Sequence, residues 1–368
     1  MNDACAPCLR RSMLIAHLGP RIAALFDRPS RARQREVLAL PEPDLIAAVA
    51  GSHEDRARSF VEGFDRGLVD ADLERLGLSA VCLHSDGYPA RLVGLSDAPA
   101  VLYLAGDPDV LDATGSVPMA CLVGTRRPSG YALEVAHELG RGLASAGVTV
   151  VSGLALGVDA AAHRGTLARR GLTVAVLACG VDRPYPRTNG VLYERVLERG
   201  VAVSEMPPGH PAFRWSFPAR NRIMAGLSAM TVVVEAGDPS GTLITAAFAL
   251  DLGRELGAVP GWVTSRMAAG SNRLLREGAS VVRGVEDILD GLYGVGNGAF
   301  SRGAPDPPQL EPTLRRVLDG VEAGEGAEAI RRSAGVSAAG ARAALGRLEL
   351  LGLVSRDGFG SYQRAFGG

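Results

Sequence analysis

The stretch from Phe217 to Ala247 reads FPARNRIMAGLSAMTVVVEAGDPSGTLITAA. Thr231 to Val234, at its centre, is a β-branched run of the kind that a parallel sheet buries on both faces. Pro239-Ser240-Gly241-Thr242 then open a helix, so the order is strand, small-residue loop, helix N-terminus. Unpaired amides and the positive end of the helix dipole point out of such a loop and favour an anion such as a phosphate. Arg220, Asn221 and Arg222 precede a short helical turn upstream, with Trp215 and Phe217 beside them. Arginines, rings and an anion-ready helix end in one segment point to a polyphosphate that carries bases.

Working outward, the same alternation continues on both sides. Strands are expected at residues 119–123, 148–151, 172–177, 201–204 and 256–259, and helices at 131–146, 158–170, 190–199 and 243–252. Strands that alternate with helices of this length imply a doubly wound, mostly parallel, Rossmann-like α/β sheet, because only a right-handed crossover returns a strand parallel to its neighbour. Such sheets take ligands outside the carboxyl ends of their strands. A short strand at 100–104 precedes the series.

Residues 1–78 read as a small helical domain of the SAM or helix-hairpin-helix kind. It has a break at Gly19-Pro20, a cap at Ser30, a start at Pro43-Asp44 and an end at Gly77. The Rossmann-like domain is expected over 79–293 and a Gly/Pro linker over 294–311. Residues 312–368 read as three helices and a hairpin turning at Asp357-Gly358, the order of a winged helix. DNA and protein docking are equally open there, because the third helix is alanine-rich with Arg342 and Arg347 as its bases.

The chain has 368 residues and a formal net charge of −1, so global charge does not point to nucleic acid. Local charge is more telling, since no acid lies between Glu205 and Glu235 while Arg214, Arg220 and Arg222 do. There is no lysine, so arginine is the only strong base available at any site. No apolar run spans a bilayer and no signal pattern opens the chain, which predicts a cytoplasmic protein with no membrane contact. Five scattered cysteines argue against a disulfide framework. Cys5 and Cys8 form a CxxC, but no second cysteine pair or nearby histidine pair completes a tetrahedral zinc site, so the segment reads as a helix start with two thiols.

Four loops carry the candidate chemistry. VGTRRPSGYA (123–132) offers Gly124, Thr125, Arg126 and Arg127 without the GxGxxG spacing or the ribose-binding acid of a dinucleotide site, so no nicotinamide or flavin cofactor is expected. VSGLALGVDAAAH (151–163) offers the Ser152 hydroxyl and the Gly153 amide. Asp159 and His163 lie four apart on its helix, where helix orientation and internal hydrogen bonding are favoured over a catalytic dyad because no nucleophile is placed beside them. In ACGVDRPYPRTN (178–189), Asp182 and Tyr185 read as fixing a turn. In the fourth, Arg214 and Phe217 suggest a guanidinium on a phosphate and a ring under a base, as single-strand binders use.

The ordered series GYPARL, VGTRRPSGYA, VSGLALGVDAAAH, GVDRPYPRTN, SEMPPG, FPARNRIMAGLS, VVVEAGDPSGTLITA, AVPG and GSNRLLREGA resembles the DNA processing protein A (DprA, or Smf) family. The resemblance covers Gly87 to about Leu289. It implies a non-enzymatic protein that binds single-stranded DNA, forms homodimers and loads the RecA recombinase during natural transformation. The family's loop motif falls on Gly124, Thr125 and Arg126, and its FPxRNR segment on Phe217, Pro218, Arg220, Asn221 and Arg222, with Arg214 upstream. Its SGxLxTA loop falls on Ser240, Gly241, Thr242 and Thr245. Where a tyrosine-glycine pair is usual, this chain has Tyr131-Ala132. The alternative is a nucleotide-processing enzyme, an N-glycosidic or phosphate hydrolase on a related fold, which needs a carboxylate at the pocket from Glu205 or Glu235.

Overall fold

A computed structural model describes residues 2–25, 36–112, 118–294, 310–323, 325–350, 353–356 and 362–364. The chain divides into two units, Met1–Gly298 and Ala299–Gly368. Ser30, most of the 294–311 stretch and the Asp357-Gly358 turn lie outside the described residues.

The first unit is built on a nine-stranded sheet. In chain order its strands are β1 (Ser79–Cys82), β2 (Val101–Gly106), β3 (Met119–Val123), β4 (Thr149–Ser152), β5 (Thr173–Val176), β6 (Gly200–Ser204), β7 (Met230–Val233), β8 (Glu255–Ala258) and β9 (Ser280–Val281). The spatial order is β1-β2-β6-β5-β4-β3-β7-β8-β9. From β6 to β9 every pairing is parallel. The first two strands are antiparallel additions, β1 on β2 and β2 on β6. The fold is therefore Rossmann-like and mostly parallel, extended at one edge.

Side-chain alternation fits the place of β3 in the interior of the sheet. Met119, Cys121 and Val123 enter the core on one face, and Ala120 and Leu122 enter the core on the other. In β7, Val233 joins the first core while Met230 and Val232 join the second. A strand buried on both faces needs continuous apolar or β-branched residues, and these strands supply them.

The chain passes from β3 through β4 and β5 to β6 on one side, then returns to place β7 on the other side of β3. The loops after β3 and β7 thus diverge from neighbouring strands, which makes this the switch point of the sheet.

Three local expectations change. The helix Ala6–Leu25 runs through Gly19-Pro20 instead of breaking there. Pro20 removes one intrahelical donor, but Trp215 buries itself against this helix and its Nε1–H donates to the Gly19 carbonyl at 3.1 Å. Trp215 is consequently a core residue shared with Leu14, Leu18 and Ile22, and is not part of a ligand surface. Second, Arg220, Asn221 and Arg222 lie inside a full helix, Ser216–Leu227, and do not precede a short turn. Third, Cys5 and Cys8 are not alone, since Cys82 at the end of β1 and His84 just beyond it stand beside them.

The second unit holds the helices Pro312–Glu322, Ala327–Ala334 and Ala338–Leu350 and an antiparallel strand pair, Val354–Arg356 with Tyr362–Arg364. Val317, Leu318, Ile330, Leu345 and Val354 form its core. Among the described residues no helix is long and apolar enough to cross a membrane.

Candidate nucleic-acid interface

At the switch point the surface opens into a groove of about 380 Å3. The loop after β3 lines it with Gly124, Thr125, Arg126 and Arg127, and the loop after β7 with Ser240, Gly241 and Thr242. Phe217, Pro218, Arg220 and Asn221 line it from the Ser216–Leu227 helix. Residues singled out from sequence in three separated segments thus meet in one place.

Arg126 and Phe217 form the ring-and-cation element. The Arg126 guanidinium lies 4.8 Å from the centroid of the Phe217 ring, within cation–π range. Tyr185 meets the same ring edge-on at 5.7 Å and is half exposed. The partner of Phe217 is therefore Arg126 and not Arg214, which is exposed but lies outside the groove. Tyr185, read from sequence as a turn residue, belongs to the surface instead. Asp182 does fix its turn, accepting the Gly209 amide at 2.8 Å. An exposed aromatic between Pro184 and Pro186, after a buried strand, was the available signal for Tyr185.

Arg220 supplies positive charge from the floor. It is buried, and its Nη1 donates to the carbonyl oxygens of Gly153 and Val176, tying the loop after β4 to the end of β5. A Cβ on Gly153 would stand 2.1 Å from that Nη1, so only glycine admits the guanidinium here. Burial pushes Arg220 below its ordinary value, while Asp159 beside it pulls the other way. Burial pushes the Asp159 carboxyl up, against the opposing pull of Arg220 and the Ala155 and Gly153 amides. Among the residues lining the groove, Arg126, Arg127 and Arg220 face Asp159 as the one acid, so the balance is positive.

Besides Arg214, two more of the sequence candidates are placed elsewhere. Ser152 is fully buried and its hydroxyl donates to Leu122 O at 2.6 Å, so it holds neighbouring strands together and offers nothing to a ligand. Arg222 is sealed below the groove, with Nη1 and Nη2 on the two Glu205 oxygens at 3.0 and 2.7 Å and Nε 3.0 Å from Asp97 Oδ2. Burial is the largest single influence and opposes its charge, but Glu205, Asp97 and Tyr88 together outweigh it and hold the guanidinium above its ordinary value. A bidentate pair this deep is a structural clamp.

Glu235 braces the groove wall. Its two carboxylate oxygens accept the Ser129 amide at 2.8 Å and the Ser129 hydroxyl at 2.7 Å, and its own carbonyl accepts the Thr125 amide at 2.8 Å. The two switch-point loops are thereby fixed to each other. Across the groove the helix Thr242–Asp251 begins, with Ser240 Oγ accepting the Thr242 amide at 3.2 Å and Asn221 Nδ2 3.5 Å from Gly241 O. A Cβ on Gly124 would fall 2.5 Å from Val158, so glycine lets the β3 loop sit against the next helix. Asp159 and His163 play the internal roles expected of them: Asp159 Oδ2 accepts the Gly153 amide at 3.2 Å, and His163 Nδ1 pairs with Thr173 Oγ1 at 2.8 Å.

A Rossmann-like sheet whose switch point gathers guanidinium groups, a helix N-terminus and edge-to-face rings has the features of a protein class suited to phosphate-bearing ligands with bases. The chain belongs to the DNA recombination-mediator protein A family, whose sequence profile matches residues 79–293. It is 38% identical over 361 residues to a putative DNA processing protein DprA of Mycobacterium tuberculosis, covering 96% of this chain and 90% of that one. The crystal structure of DNA processing protein A from Streptococcus pneumoniae superposes with a TM-score of 0.60 at 30% identity, over 77% of this chain and 95% of that one. DNA processing protein A from Helicobacter pylori, whose structure concerns its single-stranded DNA binding mode, gives 0.53 at 29% identity over 58% and 95%.

Proposed function

We propose that this protein binds single-stranded DNA in the switch-point groove and acts in DNA processing for recombination and natural transformation. The observation that carries this is the Arg126–Phe217–Tyr185 surface beside a helix N-terminus, with Arg220 beneath it. A phosphate backbone takes the guanidinium groups and the helix end, while an unpaired base stacks on the ring, a contact that duplex DNA cannot make without unstacking. The site residues in this reading are Gly124, Thr125, Arg126, Arg127, Phe217, Arg220, Asn221, Ser240, Gly241 and Thr242, with Tyr185 added; Gly153, its amide on Asp159 and its carbonyl on Arg220, positions the floor instead of meeting the ligand. The single-stranded DNA binding mode of the Helicobacter pylori relative supports it.

The reading extends to a homodimer that hands its DNA to a RecA-type recombinase, as family membership suggests, and to a protein that is not an enzyme. Each of the two carboxylates from which a hydrolase would have to draw its catalytic group is engaged, Glu205 by Arg222 and Glu235 by Ser129. Fluorescence anisotropy with labelled oligonucleotides tests the core of the proposal. Single strands are expected to bind without cofactor, more tightly than the matching duplex. Equal affinity for both, or release of free base from nucleoside monophosphates, would overturn it.

A further inference from the structure

Cys5, Cys8, Cys82 and His84 converge far from the groove in sequence and in role. Cys5 and Cys8 stand at the start of the Ala6–Leu25 helix, three residues apart and so on the same face of its first turn. Cys82 ends the edge strand β1, and His84 follows after one residue. Cys8 and Cys82 are buried, Cys5 is half-buried and His84 is exposed. One ligand atom from each of the four lies within 4.8 Å of all the others.

The spacing of the imidazole from two of the sulfurs is that of a tetrahedral metal shell. Zinc held at about 2.3 Å from sulfur and about 2.0 Å from nitrogen sets S···N edges of about 3.5 Å. His84 Nδ1 is 3.4 Å from the sulfur of Cys5 and 3.4 Å from that of Cys8. The Cys5 amide donates to Cys82 Sγ at 3.4 Å, and Ser85 Oγ lies 3.4 Å from the same sulfur, the second set of contacts that orients a thiolate ligand. A CxxC redox pair needs two thiols and has no use for a third sulfur and an imidazole aimed at the same point.

We propose that Cys5, Cys8, Cys82 and His84 bind one zinc ion that fastens the start of the chain to the outer edge of the sheet. Three thiolates and one neutral imidazole are the donor set of a closed structural zinc site. Binding forms three Zn–S bonds and one Zn–N bond, and the thiol protons pass to solvent without any redox change. The clamp closes the chain between residues 8 and 82, reinforcing the backbone contacts by which Asp3 N donates to Ala80 O at 3.0 Å. It also fixes the helix that receives Trp215, and through it the Ser216–Leu227 helix under the groove.

The full chain, purified without chelator, is tested by elemental analysis, by zinc release with a thiol-modifying reagent, and by exchange with cobalt. The expected result is about one zinc per chain, released when the thiols are modified, and an intense thiolate-to-cobalt charge-transfer band on exchange. His84→Ala, at an exposed position that folding tolerates, and Cys82→Ser should each lower the zinc content at least tenfold, whereas Cys179→Ser should retain it. Wild-type protein that carries no zinc and gives no thiolate–cobalt band would overturn the proposal. So would stoichiometric iron in place of zinc, or a Cys5–Cys8 disulfide in the intact mass of freshly purified, metal-free chain.

Discussion

Arg126 lies in solvent against the Phe217 ring, whereas Arg222 is closed off between Glu205 and Asp97. The two share a side chain and belong to the same family motif set, yet their environments assign them different work. Truncating Arg222 leaves the Glu205 carboxylate buried without the guanidinium that pairs with it, a loss that typically costs about 3–5 kcal/mol. Arg222→Ala is therefore expected to show a lowered denaturation midpoint before any selective change in DNA affinity. A variant as stable as wild type but weak in binding would move Arg222 back into the groove. Phe217→Ala removes a stacking surface worth about 1–3 kcal/mol per base, and titration should show binding of single strands roughly 5- to 150-fold weaker with stability little changed. At this scale sequence named the residue types but not their exposure. In a chain without lysine, an arginine that clamps and an arginine that binds are written identically.

Elements were legible where burial leaves a pattern. The central strands are continuous apolar or β-branched runs, and reading them from sequence places them within a residue or two of their observed bounds. The Ser216–Leu227 helix escaped because its buried positions include Ser216, Arg220, Asn221 and Arg222, which erase the 3.6-residue apolar period. The cluster of Cys5, Cys8, Cys82 and His84 escaped for another reason: its two halves are far apart in sequence and meet only when β1 lies beside the first helix. His163 shows how an element carries a pH dependence. Thr173 Oγ1 donates to Val150 O at 2.8 Å, so it accepts from His163 Nδ1–H, and His163 Nε2 is left buried and without a hydrogen-bond partner. Burial first, and Arg220 second, push the His163 pKa down to about 3. A base depressed on folding contributes stability that is full above its unfolded value near 6.5 and is lost as pH falls toward 3. Equilibrium unfolding across that window should steepen for wild type and flatten for His163→Gln. Identical acid limbs would refute the assignment.

On the scale of the whole molecule, the groove lies within the Met1–Gly298 unit, and the helical N-terminal region shares a core with the groove-bearing helix through Leu14, Leu18, Trp215 and Ala219. A chain cut to residues 1–298 keeps every residue that lines the groove and is expected to keep its affinity for single strands within about threefold. Removing residues 1–78 should expose Trp215 and give insoluble or destabilised protein, even though the family match begins at residue 79. Retained solubility and binding in that truncated chain would show that the shared core is dispensable. The doubly wound order of the sheet was readable from the alternation of strands and helices. The strand at 100–104 was readable as well, but β1 and the antiparallel pairing of β1 and β2 were not, because short strands carry little periodicity and their pairing is decided by tertiary contact.

The central claim is that guanidinium groups at the switch point neutralise the phosphates of an unpaired strand. The slope of log affinity against log salt for single-stranded oligonucleotide, measured for wild type and for Arg126→Ala, tests it most directly. Removing one guanidinium–phosphate pairing should flatten the slope by about 0.7 and weaken binding alike for all sequences. An Arg126→Ala protein with the wild-type slope and the wild-type affinity would contradict the account.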